Sequence, residues 1–311
     1  MIFVNPSGYP GIGARPGRRA GRGIVEVVAV VGIVGFFAVL AMMALPRGRE
    51  TSRMVSCQRS LMQVGVGLQL YHQGARHYPT VPPLGSKGGE GPIKVLLESL
   101  AIPDLLDLSD PSKPPKPGQA SPAGLRVPGL TCPSDPNAMG RPALALISYR
   151  ANTGDDPAGL GGPFQPGRAM TSEQVEAADG LAYTAAFAER LVGDGRDGHP
   201  DPANYGLTPG PVDFGGCVEI PADRWRGDAG SDWAEASWRS TLYSHAPLPN
   251  AARSCVAEDG RTAWMGASSG HVNRINVLMM DGSVKGVTPT IDPKIWAGLG
   301  SVGIPVAKPG P

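Results

Sequence analysis

The sequence predicts an α+β protein in which a long N-terminal hydrophobic helix continues into an amphipathic helix packed on a mostly antiparallel β-sheet. Three features carry this prediction: an apolar run, an amphipathic run directly after it, and short apolar segments separated by turn residues. Of 311 residues, 44 are Gly and 33 are Pro, while 41% are hydrophobic. This composition indicates a folded chain with long Pro/Gly-rich loops.

The apolar run extends from Ile24 to Leu45 and is interrupted only by Glu26. At 1.5 Å per residue it would form a helix of about 30 Å, enough to cross a bilayer. We therefore expect a basic leader at 1–23, a single-pass membrane helix at 24–46, and an extracytoplasmic domain at 47–311.

The expected topology follows from the arginines of the leader. Arg15, Arg18, Arg19 and Arg22 precede the apolar run, and a short basic N-terminus tends to stay inside the cell. We expect the protein in the cell membrane with its C-terminal domain in the periplasm. A cleaved secretory signal is the alternative, although its apolar core would be shorter.

An amphipathic pattern follows Pro46. Apolar residues recur every three or four positions and form one stripe on a helix, at Met54, Cys57, Leu61, Val64, Leu68 and Tyr71. This stripe predicts that the helix packs along the globular domain. The next helical pattern, IKVLLESLAIPDLLDL, predicts one or two short helices.

Strand predictions fill the second half of the chain. The clearest is a hairpin with strands Ile275 to Met280 and Ser283 to Val287, because Asp281-Gly282 suits the positive φ angles of a tight turn. Three weaker segments also predict strands, at Ala143 to Tyr149, Leu181 to Phe187 and Gly216 to Ile220.

His271 stands nine residues before Asp281-Gly282. We expect a structural role, in which His271 hydrogen-bonds the Asp281 carboxylate or a backbone carbonyl and fixes the entry to the strand. A ligand or metal role for the pair is the alternative.

Four cysteines allow three disulfide connectivities. Because Cys57 faces the domain and Cys132 opens a CPSDP loop that must dock, we predict a Cys57–Cys132 bond. Cys217 and Cys255 then form the second pair. No histidine lies at zinc-ligand spacing from any of them, so we expect no structural metal site.

Two short motifs suggest chemistry, but we interpret both as structural. Ser268 lies in GASSG, a G-x-S-x-G match that would need a strand-turn-helix context to act as a nucleophile. GDGRDGHPD offers Asp194, Asp197, His199 and Asp201, yet it lacks the spacing of an EF-hand loop, and a solvated loop is favoured. We expect no enzyme activity and no cofactor.

Several segments in a fixed order resemble one family. They are Glu26 in the hydrophobic helix, ETSRMVSCQRSLMQVGVGLQLYHQ, HYP, TCPSDP, ISYRANTG, ADGLAYTAAFAER, LPNAARSC, HVNRINVLMMDGSVKGV and IWAGLGS. Together they resemble the planctomycete-type bacterial family of unknown function with a prepilin-type N-terminus and a C-terminal H-x9-DG domain. The resemblance covers nearly the whole chain from Arg18, with H-x9-DG supplied by His271, Asp281 and Gly282.

The resemblance implies a pseudopilin-like fold and no established reaction. It assigns Glu26 as the prepilin glutamate and Gly21 as the residue before the cleavage point, although Arg22 is atypical as a first mature residue. The alternative for Glu26 is an approach to Arg22, one helical turn away. Implied partners are the membrane, a prepilin peptidase and a pilin-like assembly.

We therefore expect a membrane-anchored protein that works by assembly or interaction. A membrane-anchored module that binds a solute or glycan is the alternative, and a hydrolase using Ser268 is a third. A formal net charge of +1 gives no indication of a nucleic-acid partner.

Overall fold

A computed structural model describes residues 22–85, 89–100, 125–141, 145–217 and 219–303, without the side chains of residues 22 and 40–47. The chain divides into two compact units, Met1–Arg49 and Glu50–Pro311. Helix α1 covers Arg22–Ala75, so its first part belongs to the first unit and the remainder to the second.

The described part of the first unit is the beginning of α1. Its large apolar side chains from Ile24 to Val39 are each more than half exposed. In the portion of the chain that the structure describes, no helix was found with the length and hydropathy needed to cross a membrane. The predicted span ends at Leu45, and the side chains of residues 40–47 lie outside the described portion.

The second unit combines helices with two mixed sheets. Its further helices are α2 (Pro92–Ser99), α3 (Pro136–Met139), α4 (Ser172–Ala178) and α5 (Pro293–Gly300), and 3-10 turns lie at Leu181–Tyr183 and Ala222–Arg224. The strands are β1 (Tyr149–Asn152), β2 (Ala185–Glu189), β3 (Tyr205–Thr208), β4 (Trp225–Arg226), β5 (Leu242–Tyr243), β6 (Cys255–Ala257), β7 (Ala263–Trp264), β8 (Ile275–Met279) and β9 (Val284–Val287). The predicted α+β class is confirmed.

One sheet has the order β5-β1-β2-β8-β9 and the other β4-β3-β6-β7. Antiparallel pairs predominate, and the β1–β5 and β3–β6 pairs are parallel. The expectation of one mostly antiparallel sheet is therefore corrected to two mixed sheets. Each parallel pair joins strands distant in the sequence, which a reading of neighbouring segments cannot anticipate.

The amphipathic part of α1 packs on the five-stranded sheet, as its stripe predicts. Leu61 and Leu68 are fully buried. At Gly65 the helix approaches β8 so closely that an added Cβ would lie 3.0 Å from Cδ1 of Leu278. The side chain of Gln69 donates a hydrogen bond of 2.9 Å to the carbonyl of Met280. Apolar contact and polar anchoring thus fix this part of α1 on β8.

The β8–β9 hairpin is confirmed, but its turn differs from the predicted two-residue type. The amide of Gly282 donates to the carbonyl of Met279, and the amide of Met279 donates to the carbonyl of Ser283. Gly282 has φ +87°, whereas Asp281 has no positive φ. This is the pattern of a three-residue loop closed by a left-handed glycine.

The three weaker strand predictions met different outcomes. The segment Leu181 to Phe187 begins as a 3-10 turn after Gly180, and only its second half joins β2. The described residues of Gly216 to Ile220 form no strand, and Gly216 takes φ +79° in a turn. Strand β1 begins at Tyr149, the last residue of the third segment, of which residues 143 and 144 lie outside the description.

Both predicted disulfides are present. Cys57 of α1 is bonded to Cys132, with Cα atoms 5.1 Å apart, and Cys217 is bonded to Cys255 on β6, with Cα atoms 5.7 Å apart. The first bond joins α1 to the CPSDP loop across 75 residues of chain. It thereby places the loop beside the segment that carries His271.

Candidate functional site

His271 lies in the segment just before β8, and its side chain is only 2% exposed. The preceding Gly270 passes so close to the CPSDP loop that an added Cβ would lie 1.9 Å from the carbonyl oxygen of Ser134. Only glycine permits this approach, since any other residue would collide with a backbone atom. The close approach brings the imidazole of His271 against Cys132.

One ring nitrogen of His271 is paired with a carboxylate on α1. Its Nδ1 lies 2.5 Å from Oε1 of Glu50, and both Glu50 oxygens accept from the hydroxyl of Ser134 at 3.1 Å. The Glu50 side chain is 35% exposed. This contact links α1, the CPSDP loop and the beginning of β8 through one polar chain.

The other ring nitrogen of His271 faces a buried carboxylate at the end of β2. Nε2 lies 3.5 Å from Oε1 of Glu189, whose side chain is 2% exposed. Asn276 on β8 donates to both Glu189 oxygens, from its backbone amide at 2.8 Å and its side chain at 2.9 Å. Gln58 of α1 in turn donates to the Asn276 side chain. Glu189 therefore has a fixed orientation in a closed network.

The Cys57–Cys132 disulfide completes this group. Nε2 of His271 lies 3.5 Å from Sγ of Cys132, and one ligand-type atom from each of four buried residues lies within 4.8 Å of every other. We call these four residues the His271 cluster: Cys57, Cys132, Glu189 and His271. Imidazole, carboxylate and sulfur are all metal-ligand types.

The two carboxylates determine the direction in which the pKa of His271 is shifted. Burial alone would lower its pKa, but hydrogen bonds with Glu189 and Glu50 outweigh that effect and leave the pKa of His271 raised above its ordinary value. A charged imidazole between two carboxylates compensates the cost of burying Glu189.

Asp135 explains why the CPSDP loop keeps its shape. This carboxylate is 1% exposed and caps α3 by accepting from the amides of Asn137 and Ala138. Its second oxygen accepts from the hydroxyl of Ser148 and the amide of Val192, each at 2.9 Å. Burial raises the pKa of Asp135 despite these four hydrogen bonds. The loop is thus attached to β1 and to the segment after β2.

The predicted hydrogen bond between His271 and Asp281 is wrong. Asp281 is exposed, and its Oδ1 accepts from the amide and hydroxyl of Ser283 within the turn. His271 instead pairs with Glu50 and Glu189. The reason is geometric: strand β8 is extended at about 3.3 Å per residue, so His271 and Asp281 stand at its opposite ends.

Ser268 lies close to the His271 segment but has a structural environment. It is 4% exposed, its hydroxyl accepts from the amide of Leu191 at 3.0 Å, and its amide donates to the carbonyl of Glu189. The chain continues through a turn into β8 and not into a helix. The strand-turn-helix context of a nucleophile is therefore missing at this serine.

The GDGRDGHPD loop gathers Asp194, His199 and Asp201 within 4.8 Å. Both Asp194 oxygens accept hydrogen bonds, from Arg196 and from Asn204, and His199 lies 2.7 Å away. Burial acts to raise the pKa of Asp194, but these bonds prevail and lower it to about 2. Asp197 accepts from the amide of Gly227. The loop is held by hydrogen bonds within it and by bonds from Asn204 and Gly227.

The residues of the processing signal differ in what the structure describes. Gly21 lies outside the described residues, and Glu26 is exposed on α1. The assignment of both to a prepilin signal remains a prediction.

Sequence reasoning did not assign Glu50, Glu189 or Asn276 to the site. Glu189 was detectable in principle, because it ends the otherwise apolar strand AAFAE, where a charge requires a partner. Glu50 carried no such signal, since a carboxylate on an amphipathic helix is ordinary.

The site thus belongs to an α+β domain in which a buried histidine joins a helix, a disulfide-bonded loop and a sheet. A family model described as "Protein of unknown function (DUF1559)" matches residues 46–294. The chain belongs to this family. No curated protein and no solved structure matches the chain.

Proposed function

We propose that this is a membrane-anchored, extracytoplasmic pseudopilin-like protein with a role in assembly or interaction. One observation carries the proposal. The large apolar side chains of α1 from Ile24 to Val39 are each more than half exposed, and apolar surface of this extent is unfavourable in water. The sequence continues the apolar run to Leu45, which gives it the length of a bilayer.

The His271 cluster supports a structural role over a catalytic one. His271 and Glu189 are both buried, so neither presents a surface on which a substrate could bind. Their hydrogen bonds go to other parts of the same chain. The network therefore serves to fix α1 and the CPSDP loop on the sheet.

Fractionation of cells that express the full chain tests the anchor. We expect the protein in the membrane fraction, released by detergent and not by high salt or carbonate. Deletion of 24–45 should move it to the soluble fraction. Full-length protein recovered without detergent would contradict the proposal.

Mass spectrometry of the N-terminus then separates assembly from simple anchoring. Cleavage after Gly21 with methylation of the new terminus supports a pilin-like assembly, and Glu26→Ala tests whether the glutamate is needed. An intact N-terminus on membrane-bound protein favours a plain anchor instead.

Solute or glycan binding is the second candidate, and a cleft on the four-stranded sheet favours it. The cleft has a volume of about 260 Å³ and is lined by residues that include Tyr205, Glu235, Arg239 and Glu258. Carboxylates and a guanidinium suit hydroxyl-rich solutes. A thermal-shift screen with sugars, repeated on Glu258→Ala, tests this role. If the cleft binds a sugar, that sugar should raise the melting temperature of the wild-type protein and not that of the variant.

A further inference from the structure

The arrangement around His271 matches the surroundings of a metal-bound histidine. In metal sites a ligating histidine commonly donates its second ring N–H to a carboxylate, which fixes the tautomer and the ring orientation. Here Nδ1 lies 2.5 Å from Oε1 of Glu50. With its proton on Nδ1, the ring points Nε2 at Cys132 and Glu189.

The distances in the His271 cluster suit a tetrahedral ion. Atoms bound to one zinc at 2.0–2.3 Å lie about 3.3–3.8 Å apart. Nε2 of His271 lies 3.5 Å from Sγ of Cys132 and 3.5 Å from Oε1 of Glu189. All four ligand-type atoms are mutually within 4.8 Å and all four residues are buried. The covalent bond between the two sulfurs departs from a ligand set.

We propose that reduction of the Cys57–Cys132 disulfide converts the His271 cluster into a four-ligand site for Zn²⁺. The ion is held by two thiolates, Nε2 of His271 and a carboxylate oxygen of Glu189. Zinc takes four ligands of these kinds in closed structural sites. Once the sulfur–sulfur bond is broken, side-chain rotation separates the sulfurs enough to hold one ion.

The electron balance requires a reductant, which is a dithiol. Its two S–H bonds break and its own disulfide forms, while the Cys57–Cys132 bond breaks and two thiols form. Zinc binding then releases both thiol protons, together with any proton on Nε2, because the ligands bind in their deprotonated forms. The ion thus replaces the covalent cross-link between α1 and the CPSDP loop.

The second disulfide is a natural control. Among the described residues, no histidine and carboxylate join Cys217 and Cys255 in a ligand-type cluster. Reduction of that bond alone therefore creates no site of this kind. The inference does not depend on the proposed function.

Metal binding to the full chain in detergent is the test, with Zn²⁺ and its spectroscopic substitute Co²⁺ as probes. A phosphine reductant is used, because a dithiol would compete for the ion. We expect no binding by the oxidised protein and one ion per chain after reduction. Thiolate-to-cobalt charge-transfer absorption should appear, and Zn²⁺ should raise the melting temperature of the reduced chain.

Variants assign the ligands. The double variant Cys57→Ser/Cys132→Ser should lose the thiolate-to-cobalt charge-transfer band. The variant His271→Ala should lose the one-to-one binding. Cys217→Ser with Cys255→Ser should retain both. Glu50→Gln removes only the carboxylate behind the histidine and should weaken zinc binding by about 10–100-fold.

Two outcomes would overturn the site. One is a folded, reduced chain that binds neither ion, and the other is equal binding by the Cys57→Ser/Cys132→Ser variant. If the chain unfolds on reduction, zinc added before the reductant must preserve its circular dichroism. Unfolding despite zinc would also reject the proposal.

Discussion

Two buried histidines, His271 and His245, have opposite electrostatic environments. His271 stands between the carboxylates of Glu50 and Glu189, and its pKa is raised. His245 stacks on Trp296 with ring centroids 3.6 Å apart, and burial lowers its pKa to about 3. Burial alone therefore does not set the charge of a histidine. The carboxylates at the ring nitrogens of His271 reverse the effect that burial has on the pKa of His245.

The largest loss of stability is expected when His271 is replaced. His271→Ala leaves the buried Glu189 carboxylate without its cation, which should lower the free energy of unfolding by about 3–5 kcal/mol. Urea denaturation at pH 6, below the ordinary histidine pKa, measures it. His271→Gln keeps a hydrogen-bond donor and should lose less. A loss of less than about 1 kcal/mol for His271→Ala would show that the charge is unimportant, and equal losses for the two variants would show that an uncharged donor contributes nothing here.

His245 should make the free energy of unfolding depend on pH. The pKa of His245 is about 3 in the folded state and about 6.5 when unfolded, so between these values the unfolded chain binds a proton that the folded chain does not. The contribution of His245 to the free energy of unfolding is complete above pH 6.5, falls by about 1.4 kcal/mol per pH unit below it, and is partly offset by His271, whose raised pKa acts in the opposite direction. Urea titrations from pH 7 to 4.5 test this.

His245→Phe is the matched variant for the pH series. It keeps an aromatic ring against Trp296 and removes the titrating group, so its stability should depend less on pH over the same interval. A wild-type slope that the variant leaves unchanged would assign the pH dependence to other groups.

A smaller effect is expected at the partly exposed partner of His271. The Glu50 side chain is 35% exposed, so solvent screens its charge. Glu50→Gln should therefore lower the free energy of unfolding by about 1 kcal/mol. In a double-mutant cycle with His271→Ala the two losses should not add, because the residues share a hydrogen bond. Additive losses would show that the contact is unimportant in solution.

The smallest loss of stability is expected at Asp281, the residue that the sequence analysis paired with His271. Asp281 makes only local bonds to Ser283 in an exposed turn. Asp281→Ala should cost about 1 kcal/mol or less. Its loss should add to that of His271→Ala, since the two side chains share no interaction. Non-additive losses would indicate a direct contact between His271 and Asp281, contrary to the structure.

The hairpin and the disulfides show how far sequence reasoning extended. The alternation of apolar segments and a DG turn located β8 and β9, because both signals are local. The pairing Cys57–Cys132 followed from the stripe that faces the domain. The turn type was missed, since DG fits both a two-residue turn and a three-residue loop closed by glycine.

The sequence by itself determined the α+β class, the amphipathic face of α1 and the hairpin, because each leaves a pattern within a few residues, and it limited the disulfides to three pairings. Only the tertiary structure decided the environment of His271. Its partner Glu50 is 221 positions away in the chain, and no spacing rule connects them. The same applies to His245, because the burial that lowers its pKa arises only when folding packs it against Trp296 of α5. Contacts made by chain folding depend on three-dimensional packing, and a single sequence carries no local signal for them.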